Sequence, residues 1–258
     1  MSLPILFVSH GSPMEALDAG AAGAAWRALG RSLPTPATIL VVSAHFDTRI
    51  PVFGSAKRPA TIHDFHGFPE ALYRLDYPAP GAPALAEQLA QGLRDQGWEA
   101  ETEAQGLDHG AWVPLRYLYP DAQIPVVPLS MSATRGPDYH YALGQALARV
   151  LPADTLLIGS GSLTHNLGHF RRGGAESPGY VRDFQQWIQH RLRERDLDAL
   201  LDYRRQASQA RQAHPTDEHL LPLFVALGAA DPEGTFSVHH DGIAHGILAM
   251  DLYGFSRR

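Results

Sequence analysis

Short apolar runs rich in β-branched residues alternate along the 258-residue chain with longer segments of helical periodicity. Runs of this length predict buried strands, and the helical segments between them predict crossover connections. We predict strands at Ile5–Ser9, Thr38–Ala44, Ile124–Ser130, Thr155–Gly159, Phe236–His239 and Ile247–Leu252. We predict helices at Glu15–Leu33, Pro83–Gln96, Pro137–Val150, Tyr180–Arg193 and Thr216–Leu227. The alternation therefore predicts an α/β fold with a central mixed, mainly parallel sheet flanked by helices.

No linker-like segment divides the chain. Gly and Pro are scattered, no Ser-, Gln- or charge-rich stretch occurs, and 45% hydrophobic residues suffice for a sizeable core. We therefore predict a single domain over residues 1–258. Residues 46–80 are rich in Pro, Gly and aromatics, which predicts a long ordered loop system of the kind that often carries function.

Charge and hydropathy restrict the partners of the chain. The formal net charge is -6 and no basic run is longer than two residues, which argues against nucleic acid and favours a small substrate. The longest apolar stretch, "LLPLFVALGAA" at 220–230, is too short to span a bilayer, and the N-terminus has no basic region of a signal peptide. We predict a cytoplasmic protein without a membrane partner, as a monomer or small homo-oligomer.

Three histidines follow predicted strands. His10 ends "ILFVSH", His45 ends "ILVVSAH", and His165 ends "GSGSLTH" after the strand at 155–159. Ligand sites in open α/β sheets lie beyond the carboxyl ends of the strands, so we expect the three imidazoles to share one edge of the sheet. For each histidine taken alone, the alternative is a capping or hydrogen-bonded structural role.

Fourteen histidines and no cysteines define the metal-binding chemistry open to this chain. Any metal must be held by His, Asp or Glu. The segment "HPTDEH" at 214–219 offers His214, Glu218 and His219 at the start of a helix that Thr216 is expected to cap. These residue types predict a mononuclear metal centre with open positions for substrate. They leave a zinc hydrolase or amidase and an iron oxygenase as alternatives.

Two loops contain further candidate residues. In "GLDHGAWVPL" at 106–115, His109 is expected in a partly exposed turn where it exchanges protons near neutral pH; the alternative is a plain turn. The loop "HDFHGFP" at 63–69 predicts either a pocket wall for an aromatic ring or a small packing cluster. "GSGS" at 159–162 weakly predicts an anion-binding nest, and no Gly-x-Ser-x-Gly elbow supports a serine nucleophile.

Six motifs occur in the order of a known family. The segments "VSHGSP", "VVSAHFDTR", "IHDFHGFP", "GLDHGAWVPL", "GSGSLTHNL" and "AHPTDEHLLPL" cover residues 8 to 224. This set resembles the DODA-type extradiol aromatic ring-opening dioxygenases, class III enzymes similar to the catalytic subunit of protocatechuate 4,5-dioxygenase. One departure is Phe46, where many members carry Trp.

The resemblance implies a non-haem divalent metal bound by His10 and His45. The third ligand is implied in the "HPTDEH" segment, where we prefer His219 and keep Glu218 as the alternative. Fe(II) is implied for turnover, and Zn(II) as a bound or alternative metal.

The resemblance also implies the acid–base residues and the substrate. His109 and His165 match the acid–base histidines of the family, and His165 could complete the coordination of zinc. The implied substrates are a small DOPA-like catechol and O2, and the implied product is a muconic semialdehyde.

Overall fold

The computed structural model describes residues 3–170 and 177–257. The strands are β1 (Ile5–Ser9), β2 (Thr38–Asp47), β3 (Val52–Gly54), β4 (Glu101–Glu103), β5 (Val126–Met131), β6 (Thr155–Gly161), β7 (Phe236–His240), β8 (Ile243–Ala244), β9 (Leu248–Ala249) and β10 (Leu252–Phe255). The α-helices are α1 (Gly20–Ser32), α2 (Glu70–Tyr73), α3 (Pro83–Arg94), α4 (His109–Leu118), α5 (Pro137–Ala148), α6 (Gly179–Glu194), α7 (Leu197–Leu201), α8 (Tyr203–Gln206), α9 (Ala210–Ala213) and α10 (Leu221–Ala229). Among the helices of these described ranges, none combines the length and apolarity needed to cross a membrane.

Eight strands form one sheet in the order β4-β3-β5-β2-β6-β1-β10-β7. The central strands β5, β2, β6 and β1 are parallel. Antiparallel β10 and β7 extend one side of the sheet, and β3 pairs antiparallel with β5 on the other. The predicted mixed, mainly parallel sheet flanked by helices is confirmed, whereas the single domain over 1–258 stays a prediction.

The central strands are covered on both faces by helices, which explains their nearly continuous apolar sequences. In β1, Phe7 faces a core that includes Phe224 of α10, and Val8 faces a second core that includes Trp112 of α4. All four side chains are fully buried. The two cores fix the helices relative to the sheet and thereby fix the loops at the strand ends.

The glycines of β6 allow the segment before α10 to lie directly on the sheet. A Cβ atom on Gly161 would stand 2.1 Å from the carbonyl oxygen of His219, and one on Gly159 would stand 2.3 Å from that of Pro222. The same His219 carbonyl accepts a hydrogen bond from the backbone N–H of Ser162 at 2.8 Å. The motif "GSGS" therefore makes room for the backbone of His219 and holds its carbonyl group by a hydrogen bond. The weak prediction of an anion nest there is wrong because residues 159–161 are extended strand.

The start of the predicted helix Thr216–Leu227 is wrong, since α10 begins at Leu221. Pro222 lies in its first turn, where the missing N–H of proline costs no helical hydrogen bond. Thr216 does not cap the helix, because its hydroxyl donates to Glu218 Oε1 at 2.9 Å. His219 consequently lies in the turn before the helix, where its direction depends on tertiary packing.

The predicted helix Glu15–Leu33 is also wrong as one element. A 3-10 helix covers Pro13–Ala16, and α1 begins only at Gly20. Gly20 has a φ of +50°, in the left-handed region that glycine tolerates, and its N–H donates to Asp18 Oδ1 at 2.9 Å. This local turn separates the two helices.

The predicted strand Ile247–Leu252 divides into β9 and β10. Between them, the buried carboxylate of Asp251 accepts hydrogen bonds from Gln185, Gln189 and the Tyr253 hydroxyl. The loop region 46–80 contains β3 and the one-turn helix α2. Elements of three and four residues are too short to show a periodic pattern in the sequence, so neither was predicted.

Protonation of the fully buried His140 should destabilise the fold at mildly acidic pH. Its Nε2 accepts from the Ser132 N–H at 3.2 Å and its Nδ1 donates to the Gly136 carbonyl at 2.9 Å. Burial lowers the pKa of His140 from 6.5 to about 4, so the stabilisation is complete above pH 6.5 and is lost as pH falls towards 4. Each pH unit in this window costs about 1.4 kcal/mol.

The measurement is the free energy of unfolding in urea at pH 7 and pH 5 for metal-free protein. His140→Gln retains an acceptor for Ser132 but does not titrate. Between these pH values we expect the wild type to lose about 2 kcal/mol more than this variant. Equal losses would show that His140 does not contribute to the acid sensitivity.

Candidate metal centre

Three imidazoles meet through their Nε2 atoms at the carboxyl edge of the parallel strands. His10 follows β1, His45 lies near the end of β2, and His219 lies in the turn before α10. The Nε2 atom of His45 is 3.1 Å from that of His10 and 3.3 Å from that of His219. The sheet thus brings together two of the three strand-end histidines, His10 and His45, with one residue of the "HPTDEH" segment.

The tautomer of His10 follows from its neighbours. The Ser160 hydroxyl donates to the Gly110 carbonyl at 2.5 Å, so its oxygen accepts from His10 Nδ1 at 3.1 Å. With its proton on Nδ1, His10 presents the lone pair of Nε2 to the other two imidazoles. A hydrogen bond at the second ring nitrogen is the usual way in which proteins orient a metal-binding histidine.

At the other two rings, a carboxylate faces Nδ1, as the Ser160 hydroxyl does at His10. Glu218 Oε1 lies 3.2 Å from His219 Nδ1, and Asp64 Oδ2 lies 3.4 Å from His45 Nδ1. Both partners favour a proton on Nδ1 and a free lone pair on Nε2. All three histidines therefore direct acceptor atoms at one another.

Three converging lone pairs repel each other unless a cation lies between them. Imidazole nitrogens bind Zn²⁺ at about 2.0–2.1 Å, which places neighbouring ligand nitrogens roughly 2.8–3.4 Å apart across octahedral and tetrahedral geometry. The observed separations of 3.1 and 3.3 Å agree with this spacing. His10, His45 and His219 could hold one divalent metal ion, and the donor set fits zinc or iron.

The electrostatics of the cluster keep its imidazoles neutral. Burial is the largest cause that lowers the pKa of all four rings, to about 2 for His45 and for His165. Neighbouring histidines lower the pKa of His10, His45 and His165 further, whereas Glu218 partly offsets the effect of burial at His219. Neutral imidazole is the form that binds metal ions and accepts protons. The site is therefore ready to bind a cation at neutral pH.

His109 lies beside this group as the first residue of α4. Its ring centroid is 4.0 Å from that of His45, and its Nδ1 is 2.9 Å from Asp64 Oδ2. Asp108 caps the helix by accepting from the Ala111 N–H at 3.2 Å. The expected turn at His109 does lead into a helix, but the expectation of partial exposure is wrong because the residue is 5% exposed and packed against the cluster.

His165 stacks on His219, whereas His109 packs against His45. The ring centroids of His165 and His219 are 3.4 Å apart and the planes differ by 11°. The backbone N–H of His165 donates to the Ala213 carbonyl at 2.8 Å, which anchors the loop after β6. The potential metal-binding atoms of His165, Glu218 and His219 all lie within 4.8 Å of one another. Those of His10, His45 and His109 form a second group defined in the same way.

Three further histidines bond to groups other than the three Nε2 atoms. His214 is buried and its Nε2 donates to the Leu163 carbonyl at 2.8 Å. His63 bonds the Leu75 carbonyl at 3.0 Å, and His245 bonds Glu15 at 2.9 Å. These hydrogen bonds give each of the three histidines a structural role.

Ser43 and Asp64 support the site, and neither was predicted from the sequence. Ser43 donates to Asp108 Oδ1 at 2.5 Å and so joins β2 to the start of α4. Burial raises the pKa of Asp108 to about 6. Asp64 lies behind His45 and His109; burial alone would raise its pKa, but hydrogen bonds from His109 outweigh burial and lower it to about 2. The only sequence signal was the position of Asp64 within "HDFHGFP".

Comparisons with known proteins agree with this architecture. Residues 4–251 match the family described as the catalytic LigB subunit of aromatic ring-opening dioxygenase. A 4,5-DOPA dioxygenase extradiol of Escherichia coli (strain K12) is 38% identical over 96% of this chain and 93% of its own length, and one of Beta vulgaris is 37% identical over 97% and 95%. The crystal structure of an uncharacterized protein from Escherichia coli K12 superposes with a TM-score of 0.84 at 32% identity, covering 98% of this chain and all of that one. Family match, relatives and fold agree with the six sequence motifs, and this chain belongs to the family of the catalytic LigB subunit of aromatic ring-opening dioxygenases.

Proposed function

We propose that this protein is an extradiol dioxygenase that opens the ring of a DOPA-like catechol with O2 at a mononuclear non-haem metal, with Fe(II) for turnover. The observation that carries the proposal is the convergence of three Nε2 atoms at 3.1 and 3.3 Å in a chain of the ring-opening dioxygenase family. The relatives named for 4,5-DOPA cleavage support the choice of substrate class.

We assign His10, His45 and His219 as the metal ligands. Glu218 is assigned to orient His219, because its carboxylate faces Nδ1 of that ring. His165 is assigned to acid–base chemistry, because its ring stacks on His219 and lies outside the contacts that link the three Nε2 atoms.

A bound Fe(II) would supply a positive charge that makes the catechol hydroxyls more acidic and a route for electrons between ring and O2. The side chains of this chain would handle the protons. His109 donates through Nδ1 to Asp64, so its Nε2 is the atom available to accept a proton from a catechol hydroxyl. The neutral, half-buried His165 would accept the proton of the other catechol hydroxyl, and both histidines would return their protons to the product as the ring opens.

The reaction balances without a further co-reactant. The ring carbon–carbon bond beside the diol breaks, and both atoms of O2 end in the product as the new aldehyde and carboxyl oxygens. O2 is the four-electron oxidant, and the catechol ring is oxidised. The two acid–base histidines only move protons and finish the cycle in their starting state.

The test is oxygen consumption by protein loaded anaerobically with Fe(II), measured against a panel of catechols that includes L-DOPA. We expect one O2 per catechol and a yellow ring-opened product. No oxygen uptake with any catechol would refute the proposal. Hydrolysis of esters or amides by zinc-loaded protein, unchanged when O2 is removed, would instead identify the hydrolase alternative.

Variants of the "HPTDEH" segment separate the two possible third ligands. Glu218→Gln should lower metal affinity by about 10- to 100-fold, the usual effect of losing the partner that orients a ligand. His219→Ala should cost more, because it removes a ligand atom. Metal dissociation constants from chelator competition measure both effects. The reverse ranking, with His219→Ala the milder change, would identify Glu218 as the ligand.

A further inference from the structure

We propose that Asp64 is a positioning residue that uses one carboxylate to orient both the metal ligand His45 and the acid–base residue His109. This inference rests on the proposed function, since it takes the roles of the two histidines from it. Asp64 faces the Nδ1 atoms of His45 and His109, and its position within "HDFHGFP" did not by itself assign it this role.

The contacts of the carboxylate carry the proposal. Asp64 Oδ1 accepts from the backbone N–H of His109 at 2.9 Å. Asp64 Oδ2 lies 2.9 Å from His109 Nδ1 and 3.4 Å from His45 Nδ1. One side chain from the 46–80 loop region thus joins β2 to the first residue of α4.

These contacts define the tautomers of both rings. An ionised carboxylate only accepts hydrogen bonds, so each Nδ1 that faces it carries a proton. The Nε2 of His45 is then free to bind the metal, and the Nε2 of His109 is free to accept a proton from substrate. With the ring centroids 4.0 Å apart, loss of the shared partner would release two adjacent imidazoles at once.

The loop is built to hold this carboxylate in place. On one side of Asp64, the Ile62 N–H donates to the Leu107 carbonyl at 2.7 Å, and the Ile62 carbonyl accepts from the Trp112 indole at 3.0 Å. On the other side, Phe65 is buried in the second core. Asp64 is fixed between two anchored neighbours, as a residue must be if it is to orient others.

Asp64→Asn tests the proposal because an amide has one acceptor oxygen and an NH2 group that would oppose an Nδ1–H donor. Metal affinity, measured by chelator competition, should fall by about 10- to 100-fold through His45. At saturating Fe(II), kcat should fall by a similar factor through His109 while KM stays within about twofold, a split that loss of loop packing alone would not produce. Asp76→Asn is the matched control, since Asp76 accepts from the Thr61 hydroxyl in the same loop region and should change neither quantity.

Two further measurements separate the arms of the proposal. In a His109→Ala background, Asp64→Asn should cause no further loss of kcat at saturating metal, because both changes remove the same function. An additive loss would overturn the role at His109.

The Asp64 side chain is 22% exposed, so formate should enter a folded Asp64→Ala variant and raise its turnover. If formate restores no turnover, Asp64 does not act as a negatively charged hydrogen-bond acceptor.

The outcomes distinguish this inference from the proposed function. If Asp64→Asn keeps wild-type metal affinity and kcat while His109→Ala loses turnover, Asp64 is only a loop anchor and the dioxygenase proposal stands. If the wild type consumes no O2 with any catechol, the dioxygenase proposal fails. The role of Asp64 at His45 is tested separately by metal binding, and an unchanged metal dissociation constant for Asp64→Asn would overturn it.

Discussion

His45→Ala is expected to abolish metal binding and oxygen consumption together. The Nε2 of His45 is the atom that contacts both of the others, at 3.1 Å to His10 and 3.3 Å to His219. Its removal leaves two ligands without their shared neighbour. We expect metal affinity to fall by more than about 100-fold, beyond the loss caused by removing an orienting partner. Chelator competition and the metal content of purified protein measure the effect.

His63→Ala provides the matched control for this change. His63 lies in the adjacent loop, and its Nε2 bonds the Leu75 carbonyl at 3.0 Å and none of the cluster. This variant should keep its metal and its oxygen consumption. Stoichiometric, tight metal binding by His45→Ala would show that the metal lies elsewhere in the protein.

His165→Ala is expected to keep the metal and lose turnover. The ring stacks on His219 at 3.4 Å and is neutral at pH 7, which suits a group that passes protons to and from a substrate beside the metal. General acid–base groups contribute about 10²- to 10⁴-fold to rates, so kcat should fall by this factor. Metal affinity should change by only a few-fold, since the three Nε2 atoms are unaffected.

The control for His165→Ala is the same substitution at the exposed His190 of α6, which should leave both quantities unchanged. Joint loss of metal and activity in His165→Ala would assign this residue as a fourth ligand. Normal turnover would remove it from the reaction. Measuring metal content beside oxygen consumption in one preparation separates these results.

The parallel centre of the sheet could be predicted because its strands are buried on both faces. The predicted strand Ile5–Ser9 is observed with the same bounds, and β2, β5 and β6 lie within a few residues of their predicted ends. The short elements could not be predicted, because the three residues of β3 or β4 are too few for a periodic pattern. They form because the sheet and its neighbouring strands supply their hydrogen-bond partners.

The sequence by itself determined the type of site and the family. It places His10 and His45 at strand ends, contains no cysteine that could bind a metal, and carries six motifs of one family. Adjacent residues in a turn point in different directions, and local propensity does not decide which one faces the site. Packing of the His219 carbonyl against Gly161 directs the imidazole of His219 to the centre and leaves Glu218 behind it. The tertiary structure likewise decided that Asp64 serves two histidines 19 and 45 residues away, because only long-range contacts bring these side chains together.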